Sequence, residues 1–141
     1  MEIAMESRRR LASAATEHYL IQADQSFGEC RQRLISYLVK LNQALNDDLP
    51  DLAHALLSRF CDSLVDYLSA GHFRVFQRLA LPARAYALIE ATTEAGVAFN
   101  DRFGEATEVR VPEVKAALEQ IARALSARFE LEDQLLYAEP H

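Results

Sequence analysis

Tryptophan is absent from this 141-residue chain, and glycine and proline occur only four times each. Glycine this scarce leaves no phosphate-cradling loop: a single G-H-F and a single F-G-E do not make one. Cysteine occurs twice, at Cys30 and Cys61, without a C-x-x-C pair. Both cysteines sit in apolar helical patterns, so they read as reduced, buried thiols of a cytosolic protein and not as a disulfide. Positive charge is in short supply: the net charge of −6 argues against a protein that grips phosphate backbones over a broad surface. A long apolar run is missing too. Arg8, Arg9 and Arg10 are followed by "LASAATEHYL", a stretch broken by Glu17 and His18, which fits neither a signal peptide nor a membrane span.

What is present is ordinary globular composition, half apolar and about a quarter charged. The chain is long enough for one compact domain, and 1–141 is expected to form a single helical one, with no repeat, low-complexity tract or linker. The breakers divide it into helical stretches at roughly 3–26, 28–46, 50–70, 72–81, 83–103 and 112–137. The first two are either separate or one helix kinked near Gly28. In the third, Leu49, Leu52, Leu56, Phe60, Leu64 and Leu68 recur at spacings of three and four, widened by Ala53, Leu57, Cys61 and Val65. Asp47 and Asp48 are placed to cap it, Pro50 suits its first turn, and Gly71 suits a left-handed residue after its last. In the last stretch Pro112 opens the helix, Glu113 favours its positive end, and Val114, Leu118, Ile121, Leu125 and Phe129 form the stripe. No segment alternates with a period of two. The expectation is an all-α, antiparallel four-helix-type bundle with additional short helices and short loops.

Catalytic signatures are weak. His54, Ser58 and Asp62 follow one another by helical turns, but a polar helix stripe produces that set by chance and supplies no oxyanion donor. The rival reading is a metal- or small-molecule-binding bundle of hemerythrin-like type. Such bundles hold metal through inward His and carboxylate residues, often as Glu-x-x-His. The histidines here are His18, His54, His72 and His141, and only Asp51-x-x-His54 forms even a weak pair. No metal or other cofactor is therefore expected.

The stretch "FCDSLVDYLSAGHF" (60–73) is more specific. It resembles the signature of the Rsd/AlgQ family of bacterial anti-sigma factors. "AFNDRF" (98–103) is similar to the end of that family's third long helix, and "LSARFELEDQLL" (125–136) to its last. The resemblance covers about 57–136. It implies a bundle with a core of four long helices and a non-enzymatic, cytoplasmic regulator. Its partner would be the C-terminal, −35-reading region of the primary sigma factor, which it would withhold from core RNA polymerase. It implies no direct nucleic acid and no membrane. An acidic helical protein meeting a basic helix-turn-helix module is physically sensible. "QSFGECRQRLISYL" (25–38) matches the family's first long helix only loosely, lacking its Arg-Trp-Leu run, and the connection between Leu79 and Ala83 is short. Oligomeric state and the identity of the sigma factor stay open.

Two readings stand for the polar side of the third stretch. With a 3.6-residue period, Asp66 lies about 200° from Leu64, so Arg59, Asp62 and Asp66 face away from the Leu56/Phe60/Leu64 stripe. They are either a solvated face with an Arg59–Asp62 pair, or a partner site. The resemblance favours the second, since the Asp of "LVDYLSAGHF" is where the family puts a sigma-contacting carboxylate. Tyr67, His72 and Phe73 join the candidate set, although Phe73 and Phe76 suit a core better than a contact and Tyr67 suits either. Arg128 and Glu132 interrupt the apolar stripe of the last stretch, one turn apart. They form either an internal ion pair or a second partner site, since an unpaired carboxylate there would be costly to bury.

Overall fold

The computed structural model describes residues 26–71 and 81–137. The expected helix over 3–26 and most of that over 72–81 lie outside these, as do His18, His72, Phe73, Phe76 and His141. The described residues form four helices and no strand: α1 at 26–46, α2 at Pro50–Ala70, α3 at Ala83–Phe103 and α4 at Val111–Glu132, followed by one π-type turn, Asp133–Tyr137. Helix α1 runs through Gly28 without a break.

Contacts between helix ends fix the directions. Phe27, early in α1, stacks on Tyr67, late in α2, at 5.3 Å. His54, early in α2, donates from Nε2 to the Ala106 carbonyl just past α3, at 2.7 Å. Arg102, late in α3, pairs with Glu113, early in α4, at 2.5 Å. Arg31 of α1 reaches Asp133 at the end of α4, at 2.7 Å. Sequential helices are antiparallel, joined where described by three residues (47–49) and seven (104–110).

All four helices turn a seam of alternating four- and three-residue steps toward the core, buried except at the half-buried Arg31 and Leu38. It runs Phe27, Arg31, Leu34, Leu38, Leu41, Leu45 in α1 and Ala53, Leu57, Phe60, Leu64, Tyr67 in α2. In α3 it is Ala85, Ile89, Thr92, Gly96, Phe99, Phe103, and in α4 Val114, Leu118, Ile121, Leu125, Arg128, Glu132. The mean step of 3.5 nearly matches the helical period, so each seam stays on one side of its helix. Fully burying a side chain such as Phe60 or Leu64 contributes about 1.5–3 kcal/mol.

Three expectations are corrected. The stripe of α2 is narrower than expected, with a member lost from each half. Leu52 is 50 % exposed and Val65 42 %, because repeated four-residue steps drift about 40° each around the helix. Leu49, 45 % exposed, precedes the first turn. Asp47 and Asp48 do not cap α2; its N-cap position is Leu49, with no side-chain bond. Asp48 instead takes a left-handed φ of 54° and closes α1. Its N–H reaches the Leu45 carbonyl at 3.2 Å and Leu49's reaches Ala44 at 3.0 Å, the paired bonds of a Schellman motif. Aspartate tolerates this region better than most residues. Finally, Gly71 is right-handed, with φ −60° and ψ −50°. Its N–H continues the ladder to Tyr67 and Leu68, so no reversal occurs there.

Candidate functional site

Helix α2 presents two different polar surfaces. Arg59, Asp62 and Asp66 are all exposed. Arg59 and Asp62 form no ion pair. Asp62 and Asp66 line a broad hollow with Asp101 and Glu105 of the α3 end, where Val65 and Asn100 are the remaining side chains. Among the described residues none of the four carboxylates has an ion-pair partner. Arg102, the nearest cation in sequence, is turned onto Glu113 and lies over the Phe103 ring at 4.8 Å. On its other side Asp66 lines a second hollow with Glu29, Cys30 and Arg33 of α1. Asp66 therefore stands on a ridge between two grooves.

Tyr67, the next residue, points inward and is fully buried. It leaves the exposed candidate set. Its hydroxyl donates to Glu132 Oε2 at 2.5 Å, and Phe129 meets its ring edge-on at 5.5 Å. Glu132 and Arg128 are also fully buried, with Arg128 Nε 3.7 Å from Glu132 Oε2. Arg128 Nη1 donates to Thr93 Oγ1 at 2.8 Å and Thr92 Oγ1 at 3.2 Å. Its guanidinium also lies 5.3 Å from the centre of the Tyr67 ring. Arg31 of α1 completes the cluster: Nη1 is 3.9 Å from Glu132 Oε1, and two N–H groups grip the Asp133 carboxylate at 2.7 and 3.3 Å. Burial pushes the Glu132 carboxyl up to about 7, although the Tyr67 hydrogen bond and the two guanidiniums favour its charged form. Burial also raises the Tyr67 phenol. The bond to Arg31 holds the exposed Asp133 below its ordinary value.

Sequence reasoning passed over Arg31, Thr92 and Asp133. The signal for the first two was available: each sits on a seam position of its helix, as Arg128 and Glu132 do. Asp101 and Glu105 carry no such mark, because nothing within α3 says which helix lies beside it.

The other candidates are less connected. His54 is held by the Ala106 carbonyl, and Ser58 and Asp62 are exposed side chains. Among the described residues no three His, Cys, Asp or Glu side chains gather as a ligand set. Cys30 and Cys61 are both free thiols, and burial, with Asp62 close by, pushes the Cys61 thiol up to about 12. Among the described residues no helix is long and apolar enough to cross a membrane.

Residues 12–138 match the profile of the family described as "Regulator of RNA polymerase sigma(70) subunit, Rsd/AlgQ". The chain belongs to the Rsd/AlgQ family. A curated relative named "Regulator of sigma D" from Yersinia enterocolitica is 38 % identical over 94 residues, which cover 57 % of this chain and 56 % of the relative. A Yersinia pestis relative of the same name is 37 % identical over the same shares. One from Shigella dysenteriae is 32 % identical over 133 residues, 84 % of this chain and 75 % of the relative. The match thus spans just over half the length of the Yersinia relatives. No solved structure matches this chain.

Proposed function

We propose that this Rsd/AlgQ protein is a regulator without chemistry of its own. It binds the C-terminal, −35-reading region of the primary sigma factor and keeps it from core RNA polymerase. The observation that carries this reading is the exposed acidic face of α2. Asp62 and Asp66 meet no cation among the described residues, although both have solvent and room before them. A carboxylate so placed is available for charge-assisted hydrogen bonds from the arginines and lysines of a DNA-reading module. Arg59 lies on the same face. His72 and Phe73 complete the proposed set from outside the described residues. Family membership and the relatives' shared name point the same way.

Titration of the purified chain against a fragment carrying the sigma C-terminal region tests it, together with transcription in vitro from promoters of that sigma factor. Binding with reduced transcription is the expected result. A chain that leaves both untouched is not this regulator.

A further inference from the structure

Six large apolar side chains are exposed among the described residues: Val39, Leu49, Leu52, Val65, Tyr86 and Val97. A solitary exposed valine needs no explanation. Val65 of α2, 42 % exposed, and Val97 of α3, 50 % exposed, are different, because both line one groove of about 200 Å³ between their helices. Its floor includes Leu68 and Gly96, and Thr93 and Asn100 add polar edges. At Gly96 α3 leaves room for the Leu68 side chain of α2: a Cβ there would stand 2.6 Å from Leu68 Cδ1. The groove runs into the acidic hollow, since Val65 and Asn100 line both. An apolar slot therefore opens beside Asp62, Asp66, Asp101 and Glu105, with no basic side chain lining either part.

We infer that the α2–α3 groove seats a basic amphipathic helix of the partner. An aliphatic side chain of that helix enters between Val65 and Val97, and Arg or Lys residues in its neighbouring turns meet the four carboxylates at the end of the groove that opens into the acidic hollow. The inference rests on the proposed sigma-binding reading and extends its site from α2 alone to the facing surface of α3. The chemistry is that of helix-in-groove recognition, in which apolar anchors at three- and four-residue spacing supply grip. The surrounding charge sets orientation and on-rate. A neutral or acidic helix would leave four carboxylates facing it uncompensated, so the groove selects by charge as well as by shape.

The test uses the full chain and the sigma C-terminal fragment. Val97→Arg places a cation and a long side chain in the groove. It should weaken binding at least tenfold while leaving the circular dichroism and the melting curve nearly unchanged. Val39→Arg, at the most exposed of the six positions but on α1, should bind within about twofold of wild type. Asp101→Asn combined with Glu105→Gln should weaken binding and flatten its salt dependence. Val97→Arg binding like wild type would overturn the groove and leave the sigma reading intact. Wild type that fails to bind removes both. Sedimentation showing a wild-type dimer that Val97→Arg dissolves would assign the groove to a second copy of this chain, and would also overturn the inference.

Discussion

Asp66 and Tyr67 are consecutive on α2 and belong to opposite worlds. Asp66 faces solvent, in an acidic hollow with no cation in it. Tyr67 faces a buried centre where Glu132 has a phenol and two guanidiniums around it. Both regions are built from carboxylates, so charge alone does not distinguish a site from a strut. Partners do. A buried carboxylate without them would be expensive, and Glu132 is surrounded because the fold requires it. An exposed carboxylate costs nothing to leave unpaired, and four left unpaired on one face remain available to another molecule. The inner cluster also joins all four helices at one end of the bundle: Arg31 from α1, Tyr67 from α2, Thr92 and Thr93 from α3, and Arg128 and Glu132 from α4.

If that contrast is right, the largest effects on stability come from the inner cluster. Arg128→Met keeps much of the packing but leaves Glu132 without its α4 partner. Removing one member of a buried pair typically costs about 3–5 kcal/mol. The urea midpoint should fall accordingly, with the slope unchanged. A loss below about 1 kcal/mol at pH 8, where Glu132 is ionised, would mean that the centre tolerates an unpaired charge and is no strut.

Acidity sharpens the comparison next. Glu132 holds its proton up to about pH 7 when folded, against an ordinary 4.5. Between those values the folded chain binds more protons than the unfolded one, so stability falls as pH rises through the window and is level above it. Asp133 is shifted the other way, and its contribution is lost only below its ordinary 3.8, outside the window. The groups facing Glu132 are Tyr67, Arg128, Arg31 and Asp133. A shift of this size corresponds to roughly 3 kcal/mol at most. The melting temperature of wild type should therefore drop by several degrees from pH 5 to pH 7.5, and that of Glu132→Gln by distinctly less. Equal slopes would place the proton elsewhere.

Each region was legible in the sequence to a different depth, for a physical reason. The helical period alone sets Asp62 and Asp66 opposite Phe60 and Leu64, and the structure leaves them exposed. The same period marks Arg128 and Glu132 as charges on a buried stripe. What one helix cannot carry is its neighbour. That Arg31 meets Asp133, 102 residues away, depends on how α1 and α4 run. That Asp101 and Glu105 join the Asp66 face depends on how α2 packs against α3 at Gly96. Turn chemistry misled in both directions. Asp48 supplies the left-handed residue that a glycine was expected to supply at position 71, and Gly71 simply continues its helix.

On the outer face the expected sign reverses: binding changes and stability does not. Asp66→Asn keeps the shape and removes the charge. If the contact loses water on binding, affinity for the sigma fragment should drop by about 2 kcal/mol or more. Unfolding should stay within about 0.5 kcal/mol of wild type. Titration and a melting curve on the same preparation check both. Unchanged binding would take Asp66 out of the site. A large fall in melting temperature would place it with Glu132 as a structural carboxylate.

The smallest effect is expected where the two regions meet. Asp133 is 54 % exposed like an outer carboxylate, yet holds a two-pronged bond from Arg31 like an inner one. Its environment decides the outcome, because water competes for an exposed partner. Asp133→Asn should cost no more than about 1 kcal/mol, as for other exposed pairs. The Arg31 guanidinium is meanwhile kept in place by the Phe129 ring 4.7 Å below it and by Glu132 Oε1, which accepts no hydrogen bond from any described residue. Once released by Asp133, Arg31 Nη1 has only to close from 3.9 Å to hydrogen-bonding distance to satisfy that oxygen. Part of the lost bond is thus recovered inside. A double-mutant cycle between Asp133→Asn and Glu132→Gln, read by urea unfolding, measures this. The cost of Asp133→Asn should be larger when Glu132 has lost its charge, since Arg31 then has no second carboxylate to move to. Strict additivity would mean that the two carboxylates do not share Arg31, and that the boundary between strut and surface falls between Glu132 and Asp133 with nothing crossing it.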